Sequence, residues 1–129
     1  MKTRILMFLA LFSTAFSLSG CSPYPTKAAP VDEELALQTL TSFLEAWKGG
    51  RAIEELAREP VPVVGQDFDW MSGKQLLSYR ISGSGIPQDA NLRVEVELDL
   101  TDQSESKRTK KVIYIVGTDP SLTVFRGFE

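Results

Sequence analysis

Residues 66–73 read Gln66-Asp67-Phe68-Asp69-Trp70-Met71-Ser72-Gly73, two carboxylates interleaved with two large aromatics. A carboxylate among apolar groups is raw material for a general base, because desolvation lifts its pKa toward neutrality. Asp67 or Asp69, with the hydroxyl of Tyr79 or Tyr114, would supply the parts of a proton-transfer site. The alternative assignment gives both carboxylates to turn capping, with Phe68 and Trp70 plugging the open end of a core. The second assignment is the simpler one. Asp67, Asp69, Trp70 and Tyr79 are therefore the candidate ligand-facing residues, and no residue is assigned a catalytic role.

Other chemistries find little material. The chain has no histidine, which removes the usual general base, the commonest metal ligand and any Ser-His-Asp arrangement. Asp102, Ser104 and Glu105 lack the alternating acidic order and distal glutamate of a calcium loop. Gly83-Ser84-Gly85 has no lysine at P-loop spacing. Lys107, Arg108, Lys110 and Lys111 form the one basic cluster, and read as protection of a strand edge. No metal and no cofactor is expected.

Cys21 is the only cysteine, at the end of Leu18-Ser19-Gly20-Cys21. Lys2 and Arg4 precede an apolar run of about twelve residues over 5–16, too short for a spanning helix of about 20 and ordered like a secretory signal. The Leu18–Cys21 tetrapeptide resembles the lipobox of bacterial lipoproteins. That resemblance implies cleavage before Cys21, acylation of its sulfur and new amino terminus, and residence in the cell envelope. The expected organisation is a signal peptide over 1–20, lipidated Cys21 with a proline-rich tether over 21–31, and one domain over 32–129. Three prolines in residues 22–31 favour an extended spacer of roughly 30 Å at about 3.1 Å per residue. Without residues 1–20 the net charge is −5, from twelve Lys+Arg and seventeen Asp+Glu. That balance argues against nucleic acid and against an electrostatic grip on anionic lipid. The membrane is reached through lipid on Cys21.

The elements that must position Asp67 and Asp69 follow from periodicity. Residues 32–48 predict a helix: Asp32 caps it, Leu37, Leu40, Leu44 and Trp47 recur at helical spacing, and Gly49-Gly50 ends it. Residues 51–59 predict a short second helix ended by Pro60. Residues 61–66 read as an extended crossover with weak strand character. The period then becomes two. Strands are predicted over 74–82, with Leu77, Tyr79 and Ile81 on one face, and over 92–100, 110–116 and 122–128. Short glycine- and proline-bearing connections make each link a hairpin.

The expected fold class is α+β, an N-terminal helix pair packed on a curved four-stranded antiparallel meander. This order resembles the NTF2-like cone fold over residues 32–129, through the element sequence and the aromatic segment 67–70 entering the sheet. The chain is also similar to short lipoproteins of planctomycete-type bacterial genomes, through Tyr114-Ile115-Val116-Gly117-Thr118 and Leu122-Thr123-Val124-Phe125-Arg126. The functional expectation is a lipid-anchored envelope domain that binds a protein or small molecule without catalysis. Two alternatives are a cone-fold isomerase or dehydratase with an aspartate base, which is what that resemblance implies, and a structural envelope component.

Overall fold

The structure, a computed structural model, describes residues 29–128. The leader over 1–20, Cys21 and most of the tether over 21–31 lie outside the described residues. No helix among the described residues is long and apolar enough to cross a membrane.

Helix α1 spans Glu33–Lys48, and Asp32 caps it by accepting the Leu35 amide at 3.0 Å. Glu33 and Glu34 in its first turn and Lys48 in its last complement the helix dipole. Ala36, Leu40, Phe43, Leu44 and Trp47 form its buried stripe. A 3₁₀ helix follows at Ile53–Arg58, then strand β1 at Val63–Gln66, the single-turn helix α2 at Phe68–Met71, and strands β2 at Gln75–Gln88, β3 at Asn91–Thr101, β4 at Lys107–Gly117 and β5 at Leu122–Arg126. The strands form one sheet in the order β1-β5-β4-β3-β2, with β1 parallel to β5 and the other pairs antiparallel.

This corrects the expected helix pair on a four-stranded antiparallel meander: the fold is a mixed five-stranded sheet with one long helix. The second helix shrinks to six residues of 3₁₀, with Ala52 and Glu59 both extended, the latter as the residue before Pro60 prefers. Arg51 holds that turn through Glu55 and Glu59. The weak crossover becomes a true strand from Val63, the first position clear of proline. Its partner is the last strand of the fold, a pairing that local periodicity does not report. Gly65 on β1 faces the core, and the Phe43 ring lies where its Cβ would be.

β2 is also longer than predicted. Gly83-Ser84-Gly85 is not a hairpin loop but an irregularity within the strand, and the turn is at Asp89-Ala90. A second bulge extrudes Leu77, so Leu76, and not Leu77, joins Tyr79 and Ile81 on the core side. β3 alternates as its sequence requires: Leu92, Val94, Val96, Leu98 and Leu100 are all buried. The inner face of β4, read through its register with β3, runs Arg108, Lys110, Val112, Tyr114, Val116. It passes from cationic at the hairpin end to apolar at the other. The strand pairs with β5 only from Tyr114 onward, so its basic half has β3 on one side and no strand on the other.

Candidate functional site

Asp67 closes β1 and opens α2. Its extended backbone lets the side chain fold back, and Oδ1 accepts the amides of Asp69 at 2.9 Å and Trp70 at 3.1 Å. One helical turn then throws Asp69 and Trp70 inward while Phe68 and Met71 stay exposed. The capping role of Asp67 is thus present, and it is only half of what the residue does.

Asp67 is fully buried, and an isolated buried carboxylate is prohibitively costly. Compensation comes from β4 and β5. Tyr114 donates its hydroxyl to Asp67 Oδ2 at 2.5 Å. Arg126 donates from Nε to Oδ2 at 3.1 Å and from Nη2 to Oδ1 at 3.2 Å, a two-point grip on one carboxylate. The Arg126 Nη2 also reaches Asp69 Oδ2 at 2.9 Å. Asp69 completes its shell with Lys74 Nζ at 2.6 Å and Lys110 Nζ at 3.2 Å to each oxygen. The guanidinium carbon of Arg126 also lies 5.6 Å from the Tyr114 ring centre. No buried side-chain nitrogen or oxygen among the described residues lacks a partner.

The protonation states follow. Burial pushes the Asp69 carboxyl up, but hydrogen bonds from Lys74, Lys110 and Arg126 outweigh it and bring the group down to about 2. The Tyr114 hydroxyl is pushed far above its ordinary value, by burial and then by the Asp67 charge, so it is a permanent donor. Burial opposes the charge on Arg126, yet Tyr114, Asp67 and Asp69 together raise its pKa. The result is an ionic clasp joining α2, Lys74 just before β2, β4 and β5.

Trp70 belongs to the packing beneath this clasp. Its ring stacks on Trp47 at 5.4 Å between centroids and meets Phe43 edge-on at 5.0 Å, while Phe43 meets Tyr114 at 6.0 Å. Its indole nitrogen donates to the Arg51 carbonyl at 3.0 Å, and that of Trp47 to the Lys74 carbonyl at 2.9 Å. Tyr79 is elsewhere. It stands on β2 and donates to Glu45 of α1 at 2.6 Å, with its hydroxyl pushed up to about 12 by burial and then by Glu45. The structure therefore brings Asp67, Asp69 and Trp70 together, joins them to Tyr114, and leaves Tyr79 out.

Lys74, Lys110 and Arg126 are the members sequence reasoning missed. A signal existed for two of them. Lys110 alternates with Val112 and Tyr114, and Arg126 with Val124, so both occupy core-facing positions in their strands. A cation in such a position implies a buried anion.

The space between α1 and the sheet is filled by Leu40, Phe43, Leu44, Trp47, Val94, Val96 and Tyr114. Larger concavities are surface clefts, three of them sharing Asp102 of the β3–β4 hairpin. The Asp102 side chain is absorbed by its own turn: Oδ1 accepts the Ser104 amide and hydroxyl and the Ser106 amide. Among the described residues, no group of three acidic or cysteine side chains could hold a metal ion. Phe68 and Phe128 are both exposed, with ring centroids 6.1 Å apart. Val64 and Phe125 are also exposed, on the outer face of β1 and β5. Comparison with protein-family models, with curated proteins and with solved structures finds no match.

Proposed function

We propose that this chain is a lipid-anchored bacterial envelope protein whose folded domain is a binding module and not a catalyst. The Leu18–Cys21 tetrapeptide supports the anchor. The observation that carries the non-catalytic reading is the state of Asp69: three cations surround it and hold its carboxyl at about 2. A base that acidic has little affinity for a proton at neutral pH. Every partner of Asp67 is likewise supplied from within the fold, and core side chains fill the space between α1 and the inner face of β3 and β4; the apolar concavity beside α1, about 410 Å³ lined by Phe43, Leu56, Val61 and Val63 among others, is an open cleft that neither Asp67 nor Asp69 lines. The exposed apolar side chains Phe68, Phe128, Val64 and Phe125 are the kind of surface that interaction proteins keep.

Two measurements test the reading separately. Carboxylate titration by NMR should find Asp69 ionised throughout the range above pH 4; an apparent pKa above about 6 would overturn the non-catalytic assignment. Metabolic labelling with a fatty acid should disappear in Cys21→Ala, and undiminished labelling would remove the anchor.

A further inference from the structure

We propose that the hairpin end of the inner sheet face carries an anion site for a phosphate group, formed by Lys74, Arg108, Lys110 and Ser106. A cavity of about 110 Å³ opens there, lined by these four residues with Leu100 and Asp102. That is several times the space one water needs. Arg108 lies opposite Leu100 and Lys110 opposite Leu98, both on the face that is buried elsewhere in the sheet. The three cations thus come from β4 and from the segment entering β2, and line one cavity. Such a convergence suits a tetrahedral anion better than a planar carboxylate, which one arginine already satisfies.

The local charge balance leaves room for an anion. Five cations, Lys74, Lys107, Arg108, Lys110 and Arg126, share this end with four carboxylates, Asp67, Asp69, Asp102 and Glu105. Asp69 already engages Lys74 and Lys110, and Asp67 engages Arg126. Asp102 points one oxygen into its own turn, where three donors hold it. Arg108 has no carboxylate partner among the described residues. Of the cations that line the cavity, it is the one left to an outside anion.

The surroundings suit a phosphate carried on a larger polar molecule. A cleft of about 450 Å³ adjoins the cavity at Asp102, lined by Gln75, Thr101, Gln103, Glu105 and Lys107 among others. The site also lies at the end of the domain away from the chain entry. The Asp32 amide bonds Thr118, whereas the other end of α1 reaches Lys74 through Trp47. A helix of 16 residues separates the two ends by about 24 Å. The pocket therefore lies at the end of α1 opposite Asp32. This inference rests on the binding-module reading and gives its ligand a chemical class.

Inorganic phosphate titrated into the full-length chain at constant ionic strength, followed by amide NMR, tests it. Saturable shifts are expected at residues 102–110 and at Lys74. Arg108→Gln should weaken binding at least tenfold, while Arg58→Gln, the same charge change at a distant exposed position, should leave it unchanged. Acetate should bind at least tenfold more weakly than phosphate. Shifts that fail to saturate, equal losses in both variants, or acetate binding as tightly as phosphate would each overturn the proposal. The readout does not involve Asp69 protonation, so a failure here is distinct from a failure of the non-catalytic reading.

Discussion

Tyr114 and Arg126 face each other across β4 and β5, and both donate to the same oxygen of Asp67. A neutral donor and a cation thus meet on one buried carboxylate, and the last strand is tied to the turn that follows the first.

Breaking this arrangement should cost more than a surface ion pair. Arg126→Met leaves Asp67 buried without its cation, a change that typically costs about 3–5 kcal/mol. Urea unfolding checks this. Arg126→Met combined with Asp67→Asn should be less destabilised than the sum of the singles; strict additivity would mean the two side chains do not act as a pair.

Asp69 gives the fold an acid limit. Its pKa is about 2 in the folded chain against about 3.9 unfolded. A depressed folded value contributes stability that is complete above pH 4 and disappears as pH falls toward 2, up to about 2 kcal/mol. Asp69→Asn should therefore be clearly less stable than the parent at pH 7, and the gap should narrow by pH 2.5. A gap independent of pH would show that the carboxylate charge is not what stabilises.

Gly65 should tolerate no side chain. A Cβ there would collide with the edge of the Phe43 ring, so Gly65→Ala overpacks the core at a cost of about 1–3 kcal/mol. Adding Phe43→Leu to Gly65→Ala should recover part of the loss. A neutral Gly65→Ala in thermal melts would contradict the seating of Phe43 on β1.

Leu44 is fully buried in the α1 stripe. Leu44→Ala should cost about 2–5 kcal/mol in denaturant unfolding. A loss below about 1 kcal/mol would mean that the helix faces solvent or a cavity.

What was legible in the sequence is what depends on near neighbours. The α1 stripe from Ala36 to Trp47 and the alternation of Leu92 to Leu100 both report burial directly, because each repeats at the period of its element. The bulge at Leu77 was invisible, since a one-residue insertion flips which leucine faces inward without changing composition. In the sequence β1 reads as a crossover because its partner is remote, and parallel pairing at an edge leaves no hairpin signal. The clasp shows the same division. Asp67 and Asp69 stood out as carboxylates among aromatics, while the cations that neutralise them come from β4, β5 and the approach to β2. Only the strand order brings these together, and once it does, Lys110 and Arg126 are the residues whose position contradicts a simple apolar face.

The place of β5 has a further consequence for how the chain acquires its shape. β5 is the latest strand in sequence among the described residues, yet it is inserted between β1 and β4 and is the sole sheet neighbour of β1. The hairpins β2–β3 and β3–β4 can zip locally, but β1 must wait for a segment from the opposite end of the domain. Loop closure of that length slows folding. Until Arg126 arrives, Asp67 has no cation and β1 no sheet neighbour. A chain stopped at residue 120 should accordingly remain sensitive to protease over residues 61–72, and a protected truncated chain would argue otherwise. In an emerging polypeptide of this design β1 stays unpaired until β5 is available, while the β2–β3–β4 part of the sheet does not depend on it.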